Sequence, residues 1–307
     1  IVMDGRIIGL GRMGEGIARR WMEKGHRVVG NARHIESIQA AEQYGIEGAA
    51  DLTAMLKKIH PRRVIWLMIP SGEPVENTIE KLTPGLQKND ILIDGGNSYY
   101  KDTQTRAERL KKKDIHYIDV GTSGGVWGLK HGYSLMVGGE KEPVEHIRPL
   151  LEALAPAPDK GWGHLGPPGS GHYVKMIHNG IEYGLMQAYA EGFDLLENKK
   201  DFDLDLGQVA NIWRFGSVVR SWLLDLAAET LQDKKDLNEI EPYVDDSGEG
   251  RWTVLEAVHS GISAPVITEA LFRRFQSRNE RRFADRFLAV LRKKFGGHAV
   301  KKGEGHD

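Results

Sequence analysis

An α/β half built on a parallel sheet, followed by an all-α half, is the fold class that the sequence predicts. Two observations predict it. Short β-rich runs alternate with amphipathic stretches from Gly5 to about Leu165, after which strand signals stop and long helical periodicities continue. Between the halves, Gly161-Trp-Gly-His-Leu-Gly-Pro-Pro-Gly-Ser-Gly171 is too rich in glycine and proline to continue either pattern, and reads as a connection. With 307 residues the chain can hold two hydrophobic cores, and the expected domains are 1–168 and 169–307.

The expected strands are Arg6–Ile8, Arg27–Val29, Val64–Met68, Ile91–Ile93, His116–Val120 and Ser134–Val137, with Gly or Pro at many of their ends. Between them, Lys24-Gly25 closes one helix, Asp51 can cap another that runs through Lys58, and Glu142-Pro143 opens a third. This alternation describes a doubly wound sheet. Helical periodicity then covers Gly171–Asn198, Leu206–Leu231, Thr253–His259, Pro265–Arg278 and Glu280–Phe295. The acidic, turn-rich stretch Glu239–Gly250 is expected to be an exposed loop, and the polar tail Lys301–Asp307 to be disordered.

Lysine and arginine number 42 against 43 acids, so no charge imbalance calls for nucleic acid or an anionic membrane, and a small molecule becomes the expected partner. Cysteine is absent, which excludes disulfides and thiolate metal sites and fits a reducing compartment; a soluble, cytoplasmic protein is expected. No apolar run approaches the roughly 20 residues that cross a bilayer.

Gly9-Leu-Gly11-Arg-Met-Gly14 follows a short apolar strand and opens an amphipathic helix. That is the context of a pyrophosphate-binding turn and makes the first half Rossmann-type. Gly9 permits the turn, Gly11 lets the backbone approach phosphates, and Gly14 allows the helix to pack closely on the strand. The amides at Arg12, Met13 and Gly14 then face the pyrophosphate. About 20 residues further on, where an acid would hold ribose hydroxyls, the chain reads Val29-Gly-Asn-Ala-Arg33-His34. With no acid there and an arginine available, NADP is favoured, or use of both NADP and NAD; the alternative is that Arg33 is a solvated surface residue.

In the stretch Gly171–Asn198, successive residues turn by about 100°, which gathers Lys175, His178, Asn179, Glu182 and Tyr183 within an arc of roughly 140°. Ile177, Gly180, Ile181, Gly184 and Leu185 occupy the other face. A polar helix face is most often a solvated one, but this one carries five different functional groups in place of repeated Lys/Glu pairs. Two loops that follow expected strands add to it: Asp94-Gly-Gly-Asn97-Ser98 and Gly121-Thr-Ser123-Gly124-Gly125. Open α/β sheets bind ligands there, and paired glycines expose amides beside the side chains of Asn97 and Ser123. Each loop alone could be a plain turn; with the helix they outline a cleft.

Gly9–Gly14, Asp94–Asn97, Ser123–Gly125 and His172-Tyr-Val-Lys175-Met-Ile-His178-Asn179-Gly-Ile-Glu182-Tyr183 closely resemble, in order and spacing, the motifs of decarboxylating 6-phosphogluconate dehydrogenases. The likeness spans nearly the whole chain, whose length resembles the short form of that family. In the wider β-hydroxyacid dehydrogenase superfamily, Ser-Gly-Gly and a Lys followed four residues later by Asn are common. The Gly-Gly-Asn and His-Asn-Gly-Ile-Glu-Tyr stretches are narrower signals.

The resemblance implies a reaction and a set of roles. Lys175 would take the C3 hydroxyl proton of 6-phosphogluconate as hydride leaves for the nicotinamide, which requires a neutral amine. Carbon dioxide would leave the resulting β-keto acid, and Glu182 would protonate the enediol to give ribulose 5-phosphate, with no metal involved. Asn97, Ser123, Gly124, Gly125, His178 and Asn179 would orient the substrate, Asn97 also lying beside the cofactor. For the phosphate, the family implies Tyr183, Arg251 in Gly250-Arg-Trp-Thr253 where a lysine is usual, and Arg292 with His298 in Arg292-Lys-Lys-Phe-Gly-Gly-His298. In the family that last pair reaches a neighbouring subunit's site, which implies at least a homodimer. Arg278 and Arg281 could contribute. Two rival readings are a non-decarboxylating β-hydroxyacid dehydrogenase and a catalytically silent dinucleotide-binding sensor or scaffold.

Overall fold

The structure, a computed structural model, describes residues 2–58, 62–233, 237, 239–279 and 283–296, without the side chains of 292, 293, 295 and 296. Eight strands form one sheet: β1 (Asp4–Ile8), β2 (Arg27–Asn31), β3 (Glu47–Gly48), β4 (Val64–Leu67), β5 (Ile91–Asp94), β6 (His116–Ser123), β7 (Ser134–Gly138) and β8 (Trp162–Gly166). Their order is β3-β2-β1-β4-β5-β6-β7-β8. Every neighbouring pair is parallel except β6 with β7, in the register Asp119 to Gly138 through Ser123 to Ser134. The expected parallel sheet is thus parallel in six of its seven pairs and antiparallel at β6–β7. The chain between Ser123 and Ser134 is shorter than the dozen or so residues a parallel crossover needs, so β7 has to return antiparallel.

The helices of this half are α1 (Arg12–Glu23), α2 (Ile35–Glu42), α3 (Leu52–Lys57), α4 (Glu73–Leu82), α5 (Tyr100–Lys111), α6 (Gly128–His131) and α7 (Lys141–Leu154). Asp51 caps α3 as its sequence position suggests, accepting from the Ala54 amide at 2.7 Å. Side chains of the central strands alternate between two cores. Ile7, Trp66 and Ile93 join Ile17 and Trp21 of α1 and Leu150 of α7, while Ile8, Leu67 and Leu92 join Val75 and Ile79 of α4 and Leu110 of α5. Trp21 closes the first core edge-on to Trp66 and donates from its indole to the Leu150 carbonyl at 3.0 Å.

Part of the glycine-rich connection is itself a strand. Trp162–Gly166 forms β8 on the edge of the sheet, and the backbone bonds Leu135 N to Gly161 O and Gly139 N to Gly166 O frame its pairing with β7. An edge strand pairs on one side only and here leaves His164 and Leu165 exposed, so glycine and polar residues cost it little and no apolar alternation announces it.

The second half contains α8 (Ser170–Asn198), α9 (Leu206–Trp213), α10 (Trp222–Asp233), α11 (Glu249–Ser260), α12 (Pro265–Ser277) and α13 (Phe283–Gly296). The stretch expected as one helix over Leu206–Leu231 is two. It breaks around Gly216, which sits at φ +76°, and the Ser221 hydroxyl accepts from the Leu224 amide where α10 begins. The Glu239–Gly250 stretch is not wholly exposed: Glu249 and Gly250 are buried in α11, and the Asp246 carboxylate is enclosed by its ion pair with Arg278 at 2.7 Å. The tail expected over Lys301–Asp307 lies outside the described residues.

The chain divides into two compact units, Ile1–Ile181 with Glu249–His259 and Glu182–Gly248 with Ser260–Asp307, and the division falls inside α8. The second unit has its own small core of Phe193, Leu206, Ala210, Leu224 and Ala228. Among the described residues, no helix is long and apolar enough to cross a membrane.

Candidate functional site

The turn between β1 and α1 is built on glycines that nothing larger could replace. Gly9 sits at φ +101°, and a Cβ there would lie 2.2 Å from the Met68 carbonyl oxygen. Its amide donates to the Asn31 carbonyl at 2.8 Å, tying the turn to the end of β2. A Cβ on Gly14 would fall 1.8 Å from the Gly9 carbonyl oxygen, so α1 can approach the turn only without a side chain there. Gly11 is different: a Cβ there would meet nothing within 4 Å. It precedes α1 in extended conformation, and the first amides of α1, which have no intrahelical acceptors, adjoin this open space. Arg12 is exposed, whereas the Met13 side chain packs on the sheet core, leaving its amide as the group it can offer a ligand. At the end of β2, the Asn31 amide is committed to the Ala49 carbonyl at 2.9 Å, while Arg33 and His34 are exposed just beyond. These features fit a dinucleotide.

Asp94, at the end of β5, organises the next loop. Its carboxylate accepts from the Gly96 amide at 3.2 Å and the Ser98 hydroxyl at 2.6 Å, which fixes the turn on both sides of Asn97 and leaves Asn97 exposed. The buried Tyr117 hydroxyl donates to the same carboxylate at 3.0 Å. Burial, reinforced by the Asp94 charge, pushes that phenol well above its usual pKa and keeps it a donor. On the neighbouring strand β6, Ser123 leads into Gly124 and Gly125, at φ +130° and +51°, and a Cβ on Gly125 would meet only open space. The paired glycines thus turn the chain away from the sheet and present backbone to a ligand.

Helix α8 is anchored to this sheet edge by Asp119, whose buried carboxylate accepts from the Gly169 amide at 2.7 Å and the His172 amide at 2.8 Å. A carboxylate at a helix N-terminus satisfies amides that would otherwise be orphaned and complements the helix dipole. A Cβ on Gly121 would lie 2.3 Å from the Lys175 Cβ, so β6 receives the lysine stem only because it carries glycine there. Lys175 is 6% exposed; its Nζ donates to Asn179 Oδ1 at 2.7 Å and lies 3.4 Å from His178 Nδ1. His178 Nδ1 is 3.0 Å from Asn179 Oδ1 and its Nε2 is 3.4 Å from the Ser123 hydroxyl. Asn179 Oδ1 can only accept, so a hydrogen on His178 Nδ1 would be bonded there, with Nε2 then accepting from the Ser123 hydroxyl.

The facing of α8 reverses the usual amphipathic arrangement. Lys175, Asn179 and Tyr183 are buried, whereas Ile181 and Leu185, on the apolar face, are 52% and 45% exposed. Lys175 and Asn179 go inside because they meet each other and because β6 carries glycine at Gly121, beside the lysine stem. Gly180 packs closely: it receives Thr253 of α11, whose hydroxyl donates to the Met176 carbonyl at 2.9 Å. Tyr100 donates to Glu256 at 2.8 Å and the Tyr99 and Trp252 rings lie 5.1 Å apart, so α11 is held against the chain just after Asn97. Arg251, exposed on the first turn of α11, is brought near that loop in this way.

In the second unit, Glu182 is half-buried two turns along α8 from Lys175. The Tyr183 hydroxyl accepts from the Ser247 amide at 3.3 Å, and the Arg274 guanidinium stacks 3.5 Å from its ring centre. Arg274 was not singled out in the sequence, where it is one of two adjacent arginines on α12. Arg278 is engaged with Asp245 and Asp246. The backbone of Arg292 lies in α13 but its side chain is not described, and Arg281 and His298 lie outside the described residues. Asp119 and His172 were also missed as functional positions. The available signal for the first was a carboxylate between the apolar residues Ile118 and Val120 of β6.

Comparison with known proteins gives matches along the chain. The NAD binding domain of 6-phosphogluconate dehydrogenase matches residues 6–163, and the 6-phosphogluconate dehydrogenase C-terminal domain matches residues 171–302. An NAD(+)-dependent decarboxylating 6-phosphogluconate dehydrogenase of Haloferax volcanii is 42% identical, with 96% of this chain and 98% of that protein covered. An NADP(+)-dependent one of Bacillus subtilis is 38% identical over 88% of this chain, which spans 60% of that longer protein. A solved 6-phosphogluconate dehydrogenase of Plasmodium falciparum, studied in apo form and with NADP+ or 6-phosphogluconate, superposes with a TM-score of 0.82 at 29% identity, covering 99% of this chain and 67% of that one.

Proposed function

The chain belongs to the 6-phosphogluconate dehydrogenase family, and we propose on that premise that it converts 6-phosphogluconate to ribulose 5-phosphate and carbon dioxide while reducing NAD or NADP. The observation that carries this reading is the cluster of buried Lys175 and Asn179 with half-buried His178 and Ser123, set where the sheet presents the Asn97 and Gly124-Gly125 loops. Residues 1–168 serve as the dinucleotide-binding domain and 169–307 as the substrate domain.

The bound dinucleotide supplies the hydride acceptor; the chain's own residues handle the protons. Lys175, as the neutral amine, removes the C3 hydroxyl proton as the C3 hydrogen departs as hydride, leaving a 3-keto acid. The C1 carboxylate then leaves as carbon dioxide, and its bonding electrons form an enediol whose developing oxygen charge protonated Lys175 stabilises. Glu182 donates a proton to the carbon that lost carbon dioxide, giving the ketose. His178 and Asn179 hold the Lys175 ammonium, while Asn97, Ser123, Gly124 and Gly125 orient hydroxyls and carboxylate. Tyr183, Arg251, Arg292 and His298 receive the phosphate, for which several donors and cations suit a phosphomonoester.

For the cofactor, exposed Arg33 beyond a β2 end without an acid supports NADP, and relatives of both preferences leave NAD open. One spectrophotometric assay tests the reading. With 6-phosphogluconate, the chain is expected to reduce a nicotinamide cofactor and release one carbon dioxide per turnover, with the larger kcat/KM for NADP. Reduction without carbon dioxide would favour the non-decarboxylating rival, and binding without reduction the silent sensor.

The protein is further proposed to be at least a homodimer, located in the cytoplasm. Supporting the first is the apolar surface of the helical unit, where Leu195, Phe202, Ile212, Phe215 and Val218 are each more than 60% exposed. Light scattering is expected to give at least twice the 34.3 kDa chain mass; a monomer at micromolar concentration would refute the assembly.

A further inference from the structure

Two buried groups beside the candidate site neither move a proton in the proposed reaction nor contact the reacting carbons: the Asp94 carboxylate and the His172 imidazole. Asp94 grips both flanks of Asn97 through Gly96 and Ser98. Its main-chain oxygen lies 3.1 Å from His172 Nε2, and His172 Nδ1 lies 2.7 Å from the Thr103 hydroxyl of α5. A carbonyl oxygen can only accept, so Nε2 carries the hydrogen and Nδ1 accepts from Thr103. His172 is 2% exposed and stands one helical turn before Lys175. A continuous run of buried hydrogen bonds therefore connects both sides of Asn97, through Asp94, to the turn of α8 that carries Lys175.

We infer that His172 is a positioning residue, holding Lys175 in register with the Asn97 loop during the dehydrogenation proposed above, on which the kinetic part of this inference rests. The need for such a lock follows from the surface that α8 packs on. The helix meets β6 and β7 through Gly121, whose Cβ position lies 2.3 Å from the Lys175 Cβ, and through Gly171, whose Cβ position lies 2.3 Å from the Met136 carbonyl oxygen. Glycines permit close approach but offer no interlocking side chains, so packing alone resists sliding along the helix axis poorly. Asp119 holds the helix end to β6; His172 adds a directional bond to β5 and another to α5. Misplacement of a reacting group by about 1 Å can cost about 100-fold in rate.

His172→Ala and His172→Gln test the inference, the glutamine being able to keep a donor near the Nε2 position. For His172→Ala, kcat is expected to fall about 100-fold while KM for 6-phosphogluconate stays within about threefold. The primary deuterium isotope effect for substrate labelled at C3 should rise, because hydride transfer becomes the slower step. A histidine that merely stabilises the fold would lower the active fraction and leave this ratio unchanged. His172→Gln should recover at least about tenfold of the lost kcat. An unchanged isotope effect in His172→Ala, or no recovery with glutamine, would overturn the inference. Amide exchange over residues 173–179 of the ligand-free protein supplies a readout independent of turnover, expected to accelerate in His172→Ala and to be restored in His172→Gln. If the unaltered chain fails to turn over 6-phosphogluconate, the proposed reaction falls, and this exchange experiment alone decides the positioning role: unchanged exchange overturns it.

Discussion

Lys175→Met is expected to lower turnover of 6-phosphogluconate by about 10³-fold or more, within the range attributed to a general base, while substrate and dinucleotide still bind. Methionine suits the site for this purpose. Its unbranched chain can follow the lysine stem past Gly121, and Asn179 Oδ1 keeps the His178 Nδ1 donor at 3.0 Å when the ammonium is lost. The substitution thus removes the titratable group and leaves Asn179 Oδ1 with a partner. Glu182→Ala provides the contrast: cofactor reduction should persist while ribulose 5-phosphate forms slowly, because the proposed acid acts after carbon dioxide has left. Single-turnover absorbance of the reduced cofactor, followed alongside product formation, separates the two steps. Near-normal turnover in Lys175→Met would remove the base assignment, and unaltered product formation in Glu182→Ala would remove the acid.

Gly14→Ala is expected to raise the dinucleotide Kd about 100-fold and to destabilise the first unit by about 1–3 kcal/mol, the usual cost of overpacking. The added methyl would have to occupy a point 1.8 Å from the Gly9 carbonyl oxygen. Gly9 cannot yield easily, since its own Cβ position lies 2.2 Å from the Met68 carbonyl oxygen and its amide is bonded to Asn31. Strain would pass into the tilt of α1, whose first amides are proposed to receive the pyrophosphate. Gly11→Ala is the internal control: its methyl meets no protein atom, so folding should be unaffected while binding weakens through collision with the phosphates. Equal affinity of Gly14→Ala and the unaltered chain, measured by titration calorimetry, would remove α1 as the pyrophosphate site.

Much of this site was legible in the sequence because its signals are local. The Gly9–Gly14 turn needs only a strand before it and a helix after it, and the spacing of Lys175, His178 and Asn179 needs only helical geometry. The antiparallel return of β7 and the edge strand Trp162–Gly166 were not legible, since pairing direction and edge position depend on which strand lies alongside. Which face of α8 is the more buried was not legible either. Periodicity separates a polar stripe from an apolar one but does not say which is inside, and here Lys175 and Asn179 are buried while Ile181 is exposed.

Taken alone, the sequence determined the class of the fold, the dinucleotide turn and the membership of Lys175, His178, Asn179 and Ser123 in one set of candidate residues, because each is written in nearest neighbours, helical spacing or motif order. Only the tertiary structure decided how that set is held. Asp94, Asp119 and His172 act through bonds that join β5, β6 and α5 to α8, across 50 to 78 residues of chain. Contacts at such separations exist only once the sheet has assembled, because closing so long a loop costs entropy that local preferences cannot repay.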